Sequence, residues 1–188
     1  MFILFILKNS YMIDLPIYKR GILLMKPLNE YMNEYRKQMK KGDIKEAYKK
    51  LMEYIMELRT YFNTKYPDYF VSGSVYQGYM DMTYFSFMPE SLKSKKLRIA
   101  IVFCHETFRF EVWLAGYNKQ IQRKYWKLFK ESNWNKYYIP STTKGVDSIL
   151  ESILVENPVF SDLNALTKKI ESGTLNFIKD IKEFLSKH

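Results

Sequence analysis

From Leu97 to Leu114 the chain repeats with a period of two, and this repeat limits the architecture more than any other feature. Leu97, Ile99, Ile101 and Phe103 alternate with Arg98, Ala100, Val102 and Cys104. After a short His105-Glu106 turn, Phe108, Phe110, Val112 and Leu114 alternate with Thr107, Arg109, Glu111 and Trp113. A period of two sends successive side chains to opposite faces of a strand. The same period is present upstream. Tyr79, Asp81, Thr83, Phe85 and Phe87 share one face, and Met80, Met82, Tyr84, Ser86 and Met88 the other. Tyr69 to Tyr76 forms a further candidate strand, closed by a Gln77-Gly78 turn. Short connections join antiparallel neighbours, so the spacing predicts a four-stranded antiparallel meander.

Helical periodicity flanks this region. Leu28, Tyr31, Met32, Tyr35 and Met39 repeat at helical spacing behind Pro27, and Gly42 can end that helix in the left-handed conformation. Asp43 with Glu46 makes a capping-box pattern for a longer helix, with the stripe Ile44, Tyr48, Leu51, Ile55, Leu58 and Phe62. The two predict an N-terminal helical hairpin. Beyond the sheet, three helices are expected to pack on it. The first covers Tyr117 to Lys130. A short one follows the i, i+3, i+4, i+7, i+8 spacing of Val146, Ile149, Leu150, Ile153 and Leu154. The last is capped by Ser161, with the stripe Leu163, Leu166, Ile170, Phe177, Ile181 and Phe184 and a weak point at Gly173. The fold class is α+β.

The length, 188 residues, suits one domain, expected over residues 25–188. Residues 1–24 are expected to be an extension outside that domain, with Met25 as the preferred start of translation. The opening Met1 to Leu7 run is apolar, yet a bilayer span needs about 20 residues. Nothing basic precedes the run and no small-residue cleavage site follows it, so it lacks a secretory signal pattern. No membrane span is expected. The lone cysteine, Cys104, excludes an internal disulfide, and the expected compartment is the cytoplasm. Cys104 sits in an apolar run and reads as a small buried hydrophobe rather than a nucleophile.

Chemistry-bearing motifs are few. The chain has no phosphate-binding glycine loop followed by Lys-Ser/Thr, no paired-cysteine zinc pattern and no His-Glu-x-x-His helix. With two histidines, one of them the terminal His188, a Ser-His-Asp enzyme would depend on His105. Neither a metal nor a cofactor is expected, and the balance leans away from an enzyme.

The richest constellation runs from His105 to Lys119. Arg109, Glu111 and Trp113 share one strand face, where a guanidinium and a carboxylate two residues apart are natural partners. The plainer reading is an ion pair covered by the indole. The functional reading is a polar pocket on an aromatic sheet, with Asp81 and His105 at its edge; Asp81, His105, Arg109, Glu111, Trp113 and Asn118 are its candidate ligand-binding residues. A metal-dependent nuclease could use Asp81 and Glu111 as carboxylates, but Val112-Trp113 stands where such a site needs a lysine.

Net charge is +10, and residues 116–145 hold seven basic side chains against one acidic. Lys119, Arg123, Lys127 and Lys130 form one helical stripe beside Tyr117, Trp126 and Trp134, a pattern able to bind single-stranded nucleic acid. The preferred reading is a solvated face, because lysine far outnumbers arginine, the better phosphate reader.

Sixteen tyrosines and thirteen phenylalanines exceed the needs of a core, so some should line a surface or groove. The leading expectation is therefore a domain that binds a small ligand or protein partner through a Tyr/Trp-rich polar pocket. Nucleic-acid binding is the alternative. The run Arg109 to Lys119, Tyr125-Trp126, Tyr76-Gln77-Gly78-Tyr79-Met80-Asp81 and Asn157-Pro158-Val159-Phe160 resemble a family of small bacterial proteins known as a domain of unknown function. The resemblance covers Met25 to the C-terminus and implies no activity or ligand.

Overall fold

A computed structural model describes residues 26–188, and the expectation for residues 1–24 lies outside them. The described chain falls into two compact units, one ending at Glu53 and the other starting at Tyr54.

The first unit holds helix α1 (Leu28–Lys41) and the start of helix α2 (Asp43–Lys65). Gly42 joins them at φ 86°, the left-handed conformation that glycine adopts without a Cβ penalty. No residue of α1 is buried; Leu28, Tyr31, Met32, Tyr35 and Met39 all stand exposed.

The second unit is built on an antiparallel sheet. Its strands are β1 (Tyr69–Val71), β2 (Tyr76–Gln77), β3 (Met82–Pro89), β4 (Leu97–Cys104), β5 (Arg109–Gly116) and β6 (Ser148–Val155). The order is β1-β3-β4-β5-β6, with β2 also pairing with β3. β1 covers the Phe87–Pro89 part of the β3 edge and β2 the Thr83–Tyr84 part. A one-turn helix α3 (Glu90–Lys93) connects β3 to β4, α4 (Lys119–Glu131) follows β5, and α5 (Leu163–Ser186) ends the chain.

The register assigns the two faces. Thr83, Phe103 and Phe110 lie in one row, Phe85, Ile101 and Val112 in the next, and Ile99 with Leu114 in a third. All are buried, as is Phe87. On this inner face, Phe62 of α2 meets Phe87 with ring centroids 4.6 Å apart and Phe85 at 5.9 Å. From α5, Ile170, Phe177, Ile178 and Ile181 are buried too. Two polar links tie α2 to α5. Tyr54 and Thr167 share a hydrogen bond of 3.1 Å, and Glu171 gathers Tyr61, Lys65, Tyr66 and Lys168.

The α+β class and the helices at both ends stand, but the sheet has six strands instead of four. The expected Tyr69–Tyr76 strand is two short ones. The turns flanking β4 and β3 are longer than expected: residues 105–108 form the β4–β5 turn, and β3 starts at Met82 rather than Tyr79. Gly78 explains the second shift. A Cβ there would lie 2.0 Å from Asp81 Oδ1 and 2.9 Å from the Met82 carbonyl, so the loop is folded too tightly to be strand.

The larger correction concerns residues 146–154, expected as a helix. They form β6, so two helices rather than three follow β5. Ile149, Leu150, Ile153 and Leu154 fit a short helix, yet a run this brief also fits a buried strand. Register shifts beside Ala115 and Glu111 put irregularities into the β5–β6 ladder and hide the two-residue period. The deciding force is tertiary: β5 needs a partner for its second edge, and β-branched Ile149, Ile153 and Val155 suit one.

α5 is one helix through Gly173. A Cβ at Gly173 would come within 2.6 Å of Leu154 Cδ2, so the glycine lets α5 approach β6 closely. Its N-cap is Asp162, one residue beyond the expected Ser161, with Oδ1 accepting from Ala165 N at 2.9 Å.

Candidate functional site

The outer face of the sheet carries Met82, Cys104 and Arg109 in one row, Tyr84, Val102 and Glu111 in the next, then Ser86, Ala100 and Trp113, then Arg98 and Ala115. Arg109, Glu111 and Trp113 are therefore brought together, as their spacing predicts. Glu111 accepts from Arg109 Nε at 2.6 Å and from Trp113 Nε1 at 2.6 Å. Arg109 also reaches Glu156 at 3.2 Å. Glu111 is only 4% exposed, so both its oxygens are occupied in a desolvated setting. Such a carboxylate is a closed structural knot. Burial pushes the neighbouring Cys104 thiol up to about 12, helped by the Glu111 charge. Burial also raises the Glu151 carboxyl, despite the hydrogen bond it accepts from Ser148, and the Glu111 charge adds to the rise.

Asp81 and His105 lie elsewhere. Asp81 precedes β3, and its Oδ1 accepts from Met82 N at 2.6 Å. Its carbonyl accepts from His105 N at 2.9 Å. His105 Nε2 is 2.9 Å from the hydroxyl of Thr83, an inner-face residue, and its ring packs edge-on to Phe103. Burial lowers the imidazole pKa, partly opposed by Asp81. Asn118 belongs to a third place, the N-cap of α4, where its Oδ1 accepts from Ile121 N at 2.9 Å. The six candidates thus do not form one site, although Trp113 and Asn118 both line one cleft. Among the described residues no group of three His, Cys, Asp or Glu side chains could hold a metal ion.

The cleft itself lies beside the knot. It encloses about 360 Å³ over the outer face, between β2, the far end of β5 and the start of α4. Tyr76, Tyr84, Trp113 and Tyr117 supply aromatic walls, while Arg98, Lys119 and Asp147 bring charge. Short side chains create the space: Ala100 and Ala115 lie on its floor. Tyr76 stacks on Tyr84 at 4.8 Å. Gly116 brings α4 against the strand end, since a Cβ there would stand 2.4 Å from Gln122 N and 2.8 Å from its Cα. Gln122, buried, donates to the carbonyls of Val146 and Ser148 at 2.8 and 3.1 Å and fixes the start of β6 at the rim.

Of the sequence candidates, Trp113, Asn118 and Lys119 line this cleft, whereas Tyr84, Arg98 and Asp147 escape sequence reasoning. Arg98 and Tyr84 do carry a signal, as polar positions alternating with core ones on adjacent strands. Asp147 carries none, because its loop takes position only when β6 docks.

The basic stripe Lys119, Arg123, Lys127 and Lys130 is exposed along α4. Lys119 pairs with Asp147 at 3.1 Å and Lys127 with Glu131 at 3.6 Å. Lys130 reaches the Ser141 carbonyl at 3.3 Å and lies 4.4 Å from the Trp126 ring centre. Three of its four cations therefore already have partners in this chain. Among the described residues, no helix is long and apolar enough to cross a membrane.

A family model described as a domain of unknown function, DUF7000, matches residues 28–185. Comparisons with curated proteins and with solved structures found no match.

Proposed function

The chain belongs to the DUF7000 family, and from that premise we propose that it is a binding domain that takes a small ligand into the aromatic cleft on the outer face of its sheet. The observation that carries this reading is the cleft: about 360 Å³, walled by Tyr76, Tyr84, Trp113 and Tyr117 and edged by Arg98, Asn118, Lys119, Gln122 and Asp147. Aromatic walls beside placed polar and charged groups can hold and orient a small ligand. The small side chains of Ala100 and Ala115 leave this space open over the sheet. The Arg109–Glu111–Trp113 knot acts as support, because it holds the indole in place at the cleft wall. The reading assigns no reaction, and residues 25–188 act in it as one domain.

A thermal-shift screen of metabolites tests it. Tyr76 and Tyr117 are 49% and 70% exposed, so Tyr76→Ser and Tyr117→Ser should leave the unliganded melting temperature within a degree or two. Compounds that raise the melting temperature of the parent should lose that effect in both variants. A screen with no stabilising compound, or stabilisation untouched by both substitutions, refutes the proposal.

A further inference from the structure

We infer that the ligand is a small organic anion, a carboxylate or phosphate ester on a flat apolar body, with its charged head at Arg98 and its body against the indole of Trp113. This rests on the ligand-binding reading of the same cleft.

Charge comes first. The charged residues lining the cleft are Arg98, Lys119 and Asp147. Lys119 and Asp147 neutralise each other at 3.1 Å, and Lys119 Nζ also donates to the Val146 carbonyl at 2.8 Å. The ion pairs of this region use Lys119 and Arg109; among the described residues Arg98 has none. A half-buried guanidinium without a carboxylate leaves the cleft with a net positive charge.

Geometry comes second. Arg98 is held by aromatic rings rather than acids. Its guanidinium lies 6.0 Å from the Tyr117 ring centre, and Tyr84 lines the same cleft from the neighbouring strand. A guanidinium has five N–H donors in a planar fork, and without a carboxylate partner that fork can meet a ligand. A planar fork of this kind suits carboxylate or phosphate oxygens. The Tyr84 hydroxyl adds a polar group to the same wall. α4 begins at the same rim with no acidic residue in its first turn, which adds partial positive charge.

The third observation shapes the rest of the ligand. Trp113 Nε1 is engaged with Glu111 at 2.6 Å, so the indole has no donor left for the cleft and presents an apolar surface. Stacked Tyr76 and Tyr84 continue the aromatic wall. A flat ring stacks on such walls, and the positive charge at Arg98 disfavours a cation.

Titration calorimetry on the full chain tests the assignment with indole-3-carboxylate, phenyl phosphate and the neutral indole-3-carboxamide. At least one of the two anions should bind, and the carboxamide at least tenfold more weakly. The two anionic arms distinguish carboxylate from phosphate as the preferred head. Arg98→Gln should weaken the bound anion tenfold or more, to the level of the carboxamide. Arg98→Lys, which keeps the charge but loses the fork and guards against misfolding of the first variant, should fall between. Equal affinity for anion and carboxamide, or unchanged anion binding in Arg98→Gln, overturns the inference. If Tyr117→Ser still abolishes binding in that case, the cleft reading survives and only the anion assignment fails. No binding by either anion at millimolar concentration also overturns the inference, while the broader metabolite screen judges the cleft independently.

Discussion

Replacing Glu171 by glutamine removes the negative charge around which Tyr61, Lys65, Tyr66 and Lys168 are assembled. Glu171 is 6% exposed. Its Oε1 accepts from Tyr66 at 2.5 Å and from Lys65 at 2.7 Å, and its Oε2 accepts from Tyr61 at 2.9 Å and lies 3.4 Å from Lys168 Nζ. Burial alone would raise this carboxyl, yet the four donors reverse that and hold it at about 2, against an ordinary 4.5. Each pKa unit corresponds to about 1.4 kcal/mol, so the ionised form contributes about 3 kcal/mol to folding at neutral pH. A carboxylate with a depressed pKa gives stability that is complete above its unfolded value and disappears as pH falls through its folded one. The contribution should therefore be full above about pH 5 and lost between pH 4.5 and 2. Glu171→Gln should lower urea-unfolding stability by about 2–3 kcal/mol at pH 7, with glutamine retaining part of the hydrogen bonding. The assay is far-UV circular dichroism across urea at several pH values. Parent and variant should converge as pH approaches 2. A loss below about 0.5 kcal/mol at pH 7, or curves that stay parallel down to pH 2.5, would refute the reasoning.

Two further outcomes follow from the outer face. Gly116→Ala places its Cβ against backbone atoms of Gln122 that cannot swing away, so thermal unfolding should show a loss of about 1–3 kcal/mol; an unchanged melting temperature would mean that the strand end and α4 are not in close contact. Cys104, with its thiol pushed up to about 12 by burial and the Glu111 charge, should react with a thiol reagent at pH 8 far more slowly in the native protein than after unfolding; equal rates would show the thiol open to solvent.

Sequence made the sheet legible where alternation was clean. β4 lies where the period of two places it, and β5 and β3 differ by two or three residues at their starts and one or two at their ends, because the alternation makes one face of each apolar and solvent penalises any other orientation. The same period placed Arg109, Glu111 and Trp113 on one face. It could not say that Arg109 and the indole would both close on Glu111, because that depends on side-chain geometry within 2.6 Å. Asp81 shows the limit of counting: it shares the parity of Thr83, but a tight turn at Gly78 keeps it off the strand. β6 shows the limit of periodicity, because Ile149 to Leu154 fits two structures and the unpaired edge of β5 selects one.

The tyrosine-rich composition implies that aromatic side chains line a groove somewhere, and the alternation by itself fixes an apolar and a mixed face. These follow from sequence because they depend on burial and strand geometry, both local. The position of the cleft was decided only by tertiary structure. Tyr76 comes to it through the short β2 pairing, Tyr84 and Arg98 through the β3–β4 register, and Asp147 through the docking of β6 beyond Gln122. Each is a long-range contact whose partner lies across a turn or a whole strand, so no local pattern encodes it. The opening beside the Glu111 knot exists because distant segments meet over Ala100 and Ala115, side chains too small to fill the space between them.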